Sequence, residues 1–339
     1  MPLIRKHALF HLFEEGLRKS GASFLRLTEE RAHPATYQVT TPAGSYRVRV
    51  YIWNLTPGGK SRPKDEWRIQ PTGLEKIAGE TRLIPEVKGK TAVLGWHERY
   101  EVFAAFDVNK HLAPLGASPS IQLREHALEA ARLNGIAYHF KGSDEVAFAF
   151  KPAYLGIYLD NMEDLHACGS SEEALKVLGE ICAHPEDIED RDVKKRVPAS
   201  RRYAVMAAKK ALRAANFKER ILTAYSNTCA MCGVQLRLLD AAHILPAAHP
   251  DSTDETSNGI ALCALHHRAY DRGLVTFDTG YRIHFNELMG RELASAALDG
   301  GLVDFRVRLF PTITVPPSRA DRPSRAFIKQ VNTLRGWKL

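Results

Sequence analysis

Apolar positions recur at two different periods along this 339-residue chain. Near the start, Leu9, Leu12, Phe13 and Leu17 fall at three- and four-residue intervals, which predicts an amphipathic helix. From Tyr37 the period drops to two. Tyr37-Gln-Val-Thr40 and Tyr46 to Trp53 alternate; in the second, Val48, Val50 and Ile52 share one face and Arg47, Arg49, Tyr51 and Trp53 the other. Strands are also expected at Glu66 to Gln70, Thr91 to Gly95, Glu101 to Phe106 and Val146 to Phe150. Ser120 stands where it would cap a helix through Leu133, with Leu128 and Ala131 inward. This mixture predicts an α+β fold for the first part of the chain, a mixed sheet with flanking helices.

Beyond residue 165 the pattern changes. A short helix is expected from Ala174 to Cys182, with Ser170 or Ser171 as its N-cap. The acidic run His184-Pro185-Glu-Asp-Ile-Glu-Asp190 then breaks structure, and Pro198 opens a helix with Val205, Ala208, Leu212 and Ala215 on one face. The expected organisation is a domain over 1–165, a linker with a short helix over 166–198, and a second domain over 199–339. Within that last part Tyr281 to Phe285 and Phe305 to Phe310 read as strands. Ser324 to Leu334 reads as a basic closing helix that either packs on this domain or extends a phosphate-binding track. The length leaves room for two real cores. No run of eighteen apolar residues and no signal-like N-terminus is present, so no membrane partner is expected and the cytoplasm is the expected compartment.

Chemistry concentrates between Cys229 and His267. Cys229 and Cys232 form a Cys-x-x-Cys pair, Cys263 and His266 a Cys-x-x-His pair, and together they use three of the five cysteines in the chain. Thiolate and imidazole at these spacings suit a tetrahedral zinc ion, and four protein ligands would close the site, making the zinc structural. A redox Cys-x-x-Cys would leave Cys263 and His266 without explanation.

Three more residues complete the picture: His243 after the apolar strand end Leu238-Leu-Asp240-Ala-Ala242, Asn258 before Gly-Ile-Ala-Leu-Cys263, and His267 directly after the second pair. In order and spacing residues 217 to 280 resemble the HNH nucleases, whose motif forms a ββα-metal finger, and Arg268-Ala-Tyr-Asp271-Arg-Gly-Leu-Val-Thr276 resembles restriction-type members. The resemblance implies phosphodiester hydrolysis, with His243 as general base, a divalent ion, Mg²⁺ or Mn²⁺, held by His267, and Asn258 either fixing the loop after His243 or orienting its imidazole. One position departs from the family: many members carry an acidic ligand just before the first histidine, where this chain has Ala242. Asp240 is three residues back, on the opposite strand face; Asp271, four residues after His267, shares its helical face and is the better replacement.

Charge sharpens the choice of partner. Lys and Arg number 47 against 39 acids, a net charge of +8, and residues 191 to 220 hold eleven of the basic residues and two acids. Arg201, Arg202, Lys209, Lys210 and Arg213 are candidates for phosphate contact on the helix entering the nuclease-like segment. In the first domain Arg47, Arg49 and Trp53, with Lys60 and Arg62 in the following loop, would suit double-stranded DNA. The combined reading is a restriction-type DNA endonuclease with an N-terminal target-reading domain, modification-dependent in one version. The rivals are a DNA-binding protein with structural zinc and a decayed centre, and a structure-specific or RNA nuclease. Double-strand cutting by one HNH centre would call for a homodimer or two successive visits.

Overall fold

A computed structural model describes residues 3–59, 62–74, 76–77 and 79–339, without the side chains of Ile77, Ser200, Ala204 and Ala211. The chain divides into two compact units, 1–215 and 216–339, and the boundary falls inside the helix Ala199–Ala224. The α+β expectation holds in both.

The first unit is built on a seven-stranded sheet in the spatial order Ser23–Arg26, Ala35–Thr41, Gly44–Asn54, Lys90–His97, Val102–Phe106, Glu145–Phe150, Ile136–Gly142. All neighbours are antiparallel except Gly44–Asn54 and Lys90–His97, which run parallel with Val48 opposite Lys90. The sheet is buried on both faces. Val48, Val50, Ile52, Phe103 and Ala105 meet the helices Lys6–Lys19, Leu155–Ala167 and Glu172–Ala183 in one core. Tyr51, Trp53, Val93, Ala104 and Phe106 meet the helix Glu125–Asn134 and a three-stranded sheet of Ile121–Arg124, Glu66–Ile69 and Thr56–Pro57 in the other. Central strands covered on both sides are apolar at nearly every position, as in Val102–Phe106.

That second layer corrects two expectations. Ser120 does not cap a helix: Ile121 to Arg124 first pair with Glu66 to Ile69 as a strand whose Ile121 and Leu123 point inward, and the helix begins at Glu125. The face of Tyr51 and Trp53 is not open, because that strand and helix cover it; Trp53 is 5% exposed. The segment 166–198, expected as a linker with a short helix, packs within the first unit. Ser171 caps the helix Glu172–Ala183, accepting from the Ala174 amide, and Val177, Leu178, Ile181, Val193 and Val197 join the first core. Ion pairs add to this packing, Lys209 to Asp190 at 2.6 Å and Arg196 to Glu180 at 2.6 Å.

The second unit holds its own core around an antiparallel strand pair and a helix: Leu239–His243, Gly259–Cys263 and Ala264–Asp271, with Leu239 opposite Cys263 and His243 opposite Gly259. The expected strand at Phe305 to Phe310 is instead the helix Leu302–Val307, entered from Gly301 at φ 82°. Phe305 and Leu309 pack inward four residues apart, while Val303 and Val307 stay exposed, a helical period that the alternating letters conceal. The closing helix Arg325–Leu334 forms as expected, capped by Ser324, and packs Ile328 and Val331 into this core. Among the described residues, no helix is long and apolar enough to cross a membrane.

Candidate active site and metal centre

The four zinc-type residues meet. Cys229 and Cys232 lie on a tight turn that folds back at Gly233, whose φ of 73° suits glycine and whose amide donates to the Cys229 carbonyl at 2.9 Å. Cys263 ends the second strand and His266 stands in the first turn of the following helix. Their ligand atoms all lie within 4.8 Å of one another. Cys232 Sγ to Cys263 Sγ is 3.9 Å, and His266 Nδ1 is 3.6 Å from Cys229 Sγ and 3.3 Å from Cys263 Sγ. Zinc–ligand bonds of about 2.0–2.3 Å would set such corners about 3.6–3.8 Å apart, so a tetrahedral ion fits with little adjustment. Burial opposes ionisation of all three thiols; hydrogen bonds led by His266 overcome it at Cys229, while Cys232 and Cys263 are raised. Three thiolates in this space need a cation, and a Cys₃His set could hold zinc.

The strand and helix pinned by this cluster carry the two other imidazoles. His243 ends the first strand, 22% exposed at its side chain. The Phe217 ring lies flat against it, centroids 4.0 Å apart and planes within 7°. His243 Nε2 is 3.0 Å from Asp254 Oδ1. His267 follows His266 on the helix and stands between two acids: its Nδ1 is 3.4 Å from Asp240 Oδ2 and its Nε2 3.4 Å from Asp271 Oδ2. The Asp240 hydrogen bond, aided by Asp271, raises the His267 pKa against the effect of burial, and the same bond lowers that of Asp240. Lys218 Nζ is 3.9 Å from Asp240 Oδ1, and Arg335 reaches Asp271 Oδ1 at 3.9 Å. Ala242 is 1% exposed in the core, so the position just before His243 faces inward and offers no place for a ligand. Both acids considered as replacements for the missing ligand, Asp240 and Asp271, thus lie against His267, because the helix brings it to the Asp240 side.

Asn258 is wholly buried beside these groups. Its Oδ1 accepts from the Leu245 amide at 2.9 Å, and its Nδ2 donates to the Thr253 carbonyl at 2.8 Å, to Ser252 Oγ at 3.0 Å and to the Leu245 carbonyl at 3.3 Å. It therefore ties both ends of the loop between His243 and itself. Of the two roles expected for Asn258, loop fixing has these contacts, and the carboxamide shows none to His243 among the described hydrogen bonds. Asp254, within the polar loop, carries no sequence signal of its own, because nothing in that stretch has a period; the stretch 251–258 is merely rich in Asp, Ser, Thr and Asn.

The residues proposed for DNA contact scatter in their availability. Arg47, Arg202 and Lys210 are exposed. Arg49 pairs with Glu86 at 2.9 Å and Arg62 with Glu66 at 2.8 Å. Arg201 donates to Ser170 Oγ at 3.2 Å, and Arg213 is half-buried with interactions of its own. Trp53 is buried, its Nε1 donating to the Thr72 carbonyl at 3.1 Å, so it presents no face to a base. Lys209 is 4% exposed and neutralised by Asp190; it faces inward because it lies on the side of the helix that carries Val205, Ala208 and Leu212. Lys60 lies outside the described residues.

One family match falls on this centre. Residues 229–278 match the family described as HNH endonuclease, and residues 46–159 match one described as methylase-associated X1. No curated protein matches the chain. Among solved structures, a "Modification dependent TagI restriction endonuclease" is similar at 12% identity and a TM-score of 0.28, over 86% of this chain and 81% of that one. The second unit carries an HNH endonuclease domain, and the protein is a nuclease that hydrolyses phosphodiester bonds.

Proposed function

We propose that the protein is a metal-dependent, restriction-type endonuclease that cuts DNA, and that base modification governs where it cuts. The observation that carries the proposal is the pair of imidazoles at the two ends of the ββα unit, each locked to carboxylate, beside a cluster of zinc-type ligands. The reaction follows from these groups. His243 takes a proton from a water molecule; the water oxygen bonds phosphorus as the bond to the leaving sugar oxygen breaks, and that oxygen takes a proton from solvent. His267, with Asp240 or Asp271, presents a nitrogen and carboxylate set that suits a divalent ion such as Mg²⁺ or Mn²⁺. Such an ion would neutralise charge developing on the phosphate. Asn258 holds the loop that follows His243, and Cys229, Cys232, Cys263 and His266 hold a structural zinc.

Exposed Arg47, Arg202 and Lys210 would meet phosphates. Modification dependence rests on the likeness of residues 46–159 to a methylase-associated family: such a unit beside a nuclease would separate marked from unmarked DNA. A decayed centre is disfavoured, since the acid missing at position 242 is matched by two acids against His267. The test is to digest modified and unmodified genomic DNA with purified protein and Mg²⁺ or Mn²⁺ and to sequence the new ends. The proposal expects ends that cluster at modified bases. Equal cutting of both samples would remove modification dependence, and ends in neither, with either metal, would remove the nuclease mechanism.

A further inference from the structure

Resting on the reading of His243 as general base, we infer that Asp254 is the residue that selects its tautomer and so makes it a base. Three observations converge. The Asp254 carboxylate meets Nε2 of His243 at 3.0 Å, with both side chains about one-fifth exposed (22% and 21%). The Phe217 ring fixes the imidazole plane at 7°. The backbone that presents Asp254 is itself held, because Arg220 donates to the Asp254 carbonyl at 2.5 Å and Asn258 to the neighbouring Thr253 carbonyl at 2.8 Å. The imidazole is thus gripped in plane and in rotation by groups from two parts of the chain, the helix Ala199–Ala224 and the loop that ends at Asn258.

An ionised carboxylate only accepts hydrogen bonds. Facing Asp254, Nε2 must carry the ring proton, and Nδ1 is left with the lone pair that can accept a proton from water. The imidazolium formed on proton transfer is then stabilised by the same carboxylate. Asp254 touches neither substrate nor reacting atoms; it is a positioning residue that acts through His243, the logic by which a carboxylate orients a catalytic histidine.

The chemistry makes a prediction that bulk and packing do not. Asp254→Asn keeps the shape but adds an amide donor; when that amide donates to Nε2, the ring proton moves to Nδ1 and the base is blocked. Asp254→Ala removes the guide but imposes no wrong tautomer. The inference therefore expects the near-isosteric Asn variant to be more damaged than Ala: kcat for plasmid nicking down by about 10²-fold or more for Asn, the scale of a positioned acid–base group, and by less for Ala, with KM for both within about twofold of the parent. A merely structural Asp254 predicts the reverse order, with Asn the milder change. Nitrogen NMR of ring-labelled His243 in the full chain gives a second readout: the parent should show the Nε2–H tautomer and Asp254→Asn a shift toward Nδ1–H. An unchanged tautomer, or Asn as active as the parent, overturns the inference. Including His243→Ala separates the two claims. If that variant nicks normally, the reading of His243 fails; if it is dead while Asp254→Asn is active, only the role of Asp254 fails.

Discussion

At the level of single residues, the centre depends on close packing behind His243. Gly259 sits opposite His243 in the strand pair, and a Cβ added there would lie 2.0 Å from Ile221 Cδ1 and 3.0 Å from Phe217 Cζ. No positive φ is involved, so the demand is for space alone. Gly259→Ala should force the helix Ala199–Ala224 and Phe217 away from the strand, costing about 1–3 kcal/mol as an overpacked core site. It should also slow nicking, because Phe217 would no longer hold the imidazole plane. Thermal melting and a plasmid assay on the same preparation check both parts; a variant as stable and as active as the parent would show that Phe217 does not set His243. Some of this centre is legible in sequence. Cysteine and histidine spacing points to a metal-type cluster because two ligands with two residues between them can turn toward one ion. Asp254 is invisible there, since it reaches His243 across an irregular loop.

Elements are held by polar groups that hydrophobic patterning does not report. The closing helix Arg325–Leu334 presents Asn332, 7% exposed, to the strand Val275–Phe277: its Oδ1 accepts from Thr276 Oγ1 at 2.6 Å and its Nδ2 donates to the Phe277 carbonyl at 2.9 Å. From the end of the same helix Arg335 donates to the Tyr270 carbonyl at 2.8 Å, beside Asp271. Of the two expectations for this segment, packing on the nuclease unit is the one seen. Asn332→Ala leaves buried partners unpaired, and should cost about 1–3 kcal/mol in denaturant unfolding; a change near zero would mean water replaces the side chain. In the first unit the hairpin Ile136–Phe150 has a comparable tie. Burial opposes ionisation of Glu145, but hydrogen bonds from His111, at 2.9 Å, and from Lys141 outweigh it and hold its pKa at about 2, below the ordinary 4.5. Because the folded value is the lower one, this contribution is complete above pH 4.5 and is lost as pH falls from there toward 2. Melting temperature followed over that window should fall less steeply for Glu145→Gln than for the parent; parallel slopes would exclude Glu145. Strand alternation located most of the sheet, but not which faces are covered. That depends on the later segment 121–134 folding back over Tyr51 and Trp53, which alternation within their own strand does not report.

For the whole molecule, each unit has its own core, and among the described residues the cluster of metal-type ligands lies in the second. Removing zinc should therefore destabilise residues 216–339 while the first unit keeps its own melting transition. Calorimetry of the full chain with and without a chelator, alongside metal analysis, checks this; a chain that loses zinc without any change in melting would make the cluster ornamental. The α+β class and the gathering of Cys229, Cys232, Cys263 and His266 were readable from the letters alone. The division at 215/216 was not, because it falls within a continuous helix and leaves no break in pattern. The central claim is that His243 activates water in a zinc-pinned HNH centre. Its most direct test is nicking of supercoiled plasmid with Mg²⁺ or Mn²⁺ by the parent and by His243→Ala, each shown to retain one zinc per chain and a normal melt. The account predicts nicking by the parent and loss of at least about 10²-fold in the variant. Equal rates from the two proteins would contradict it.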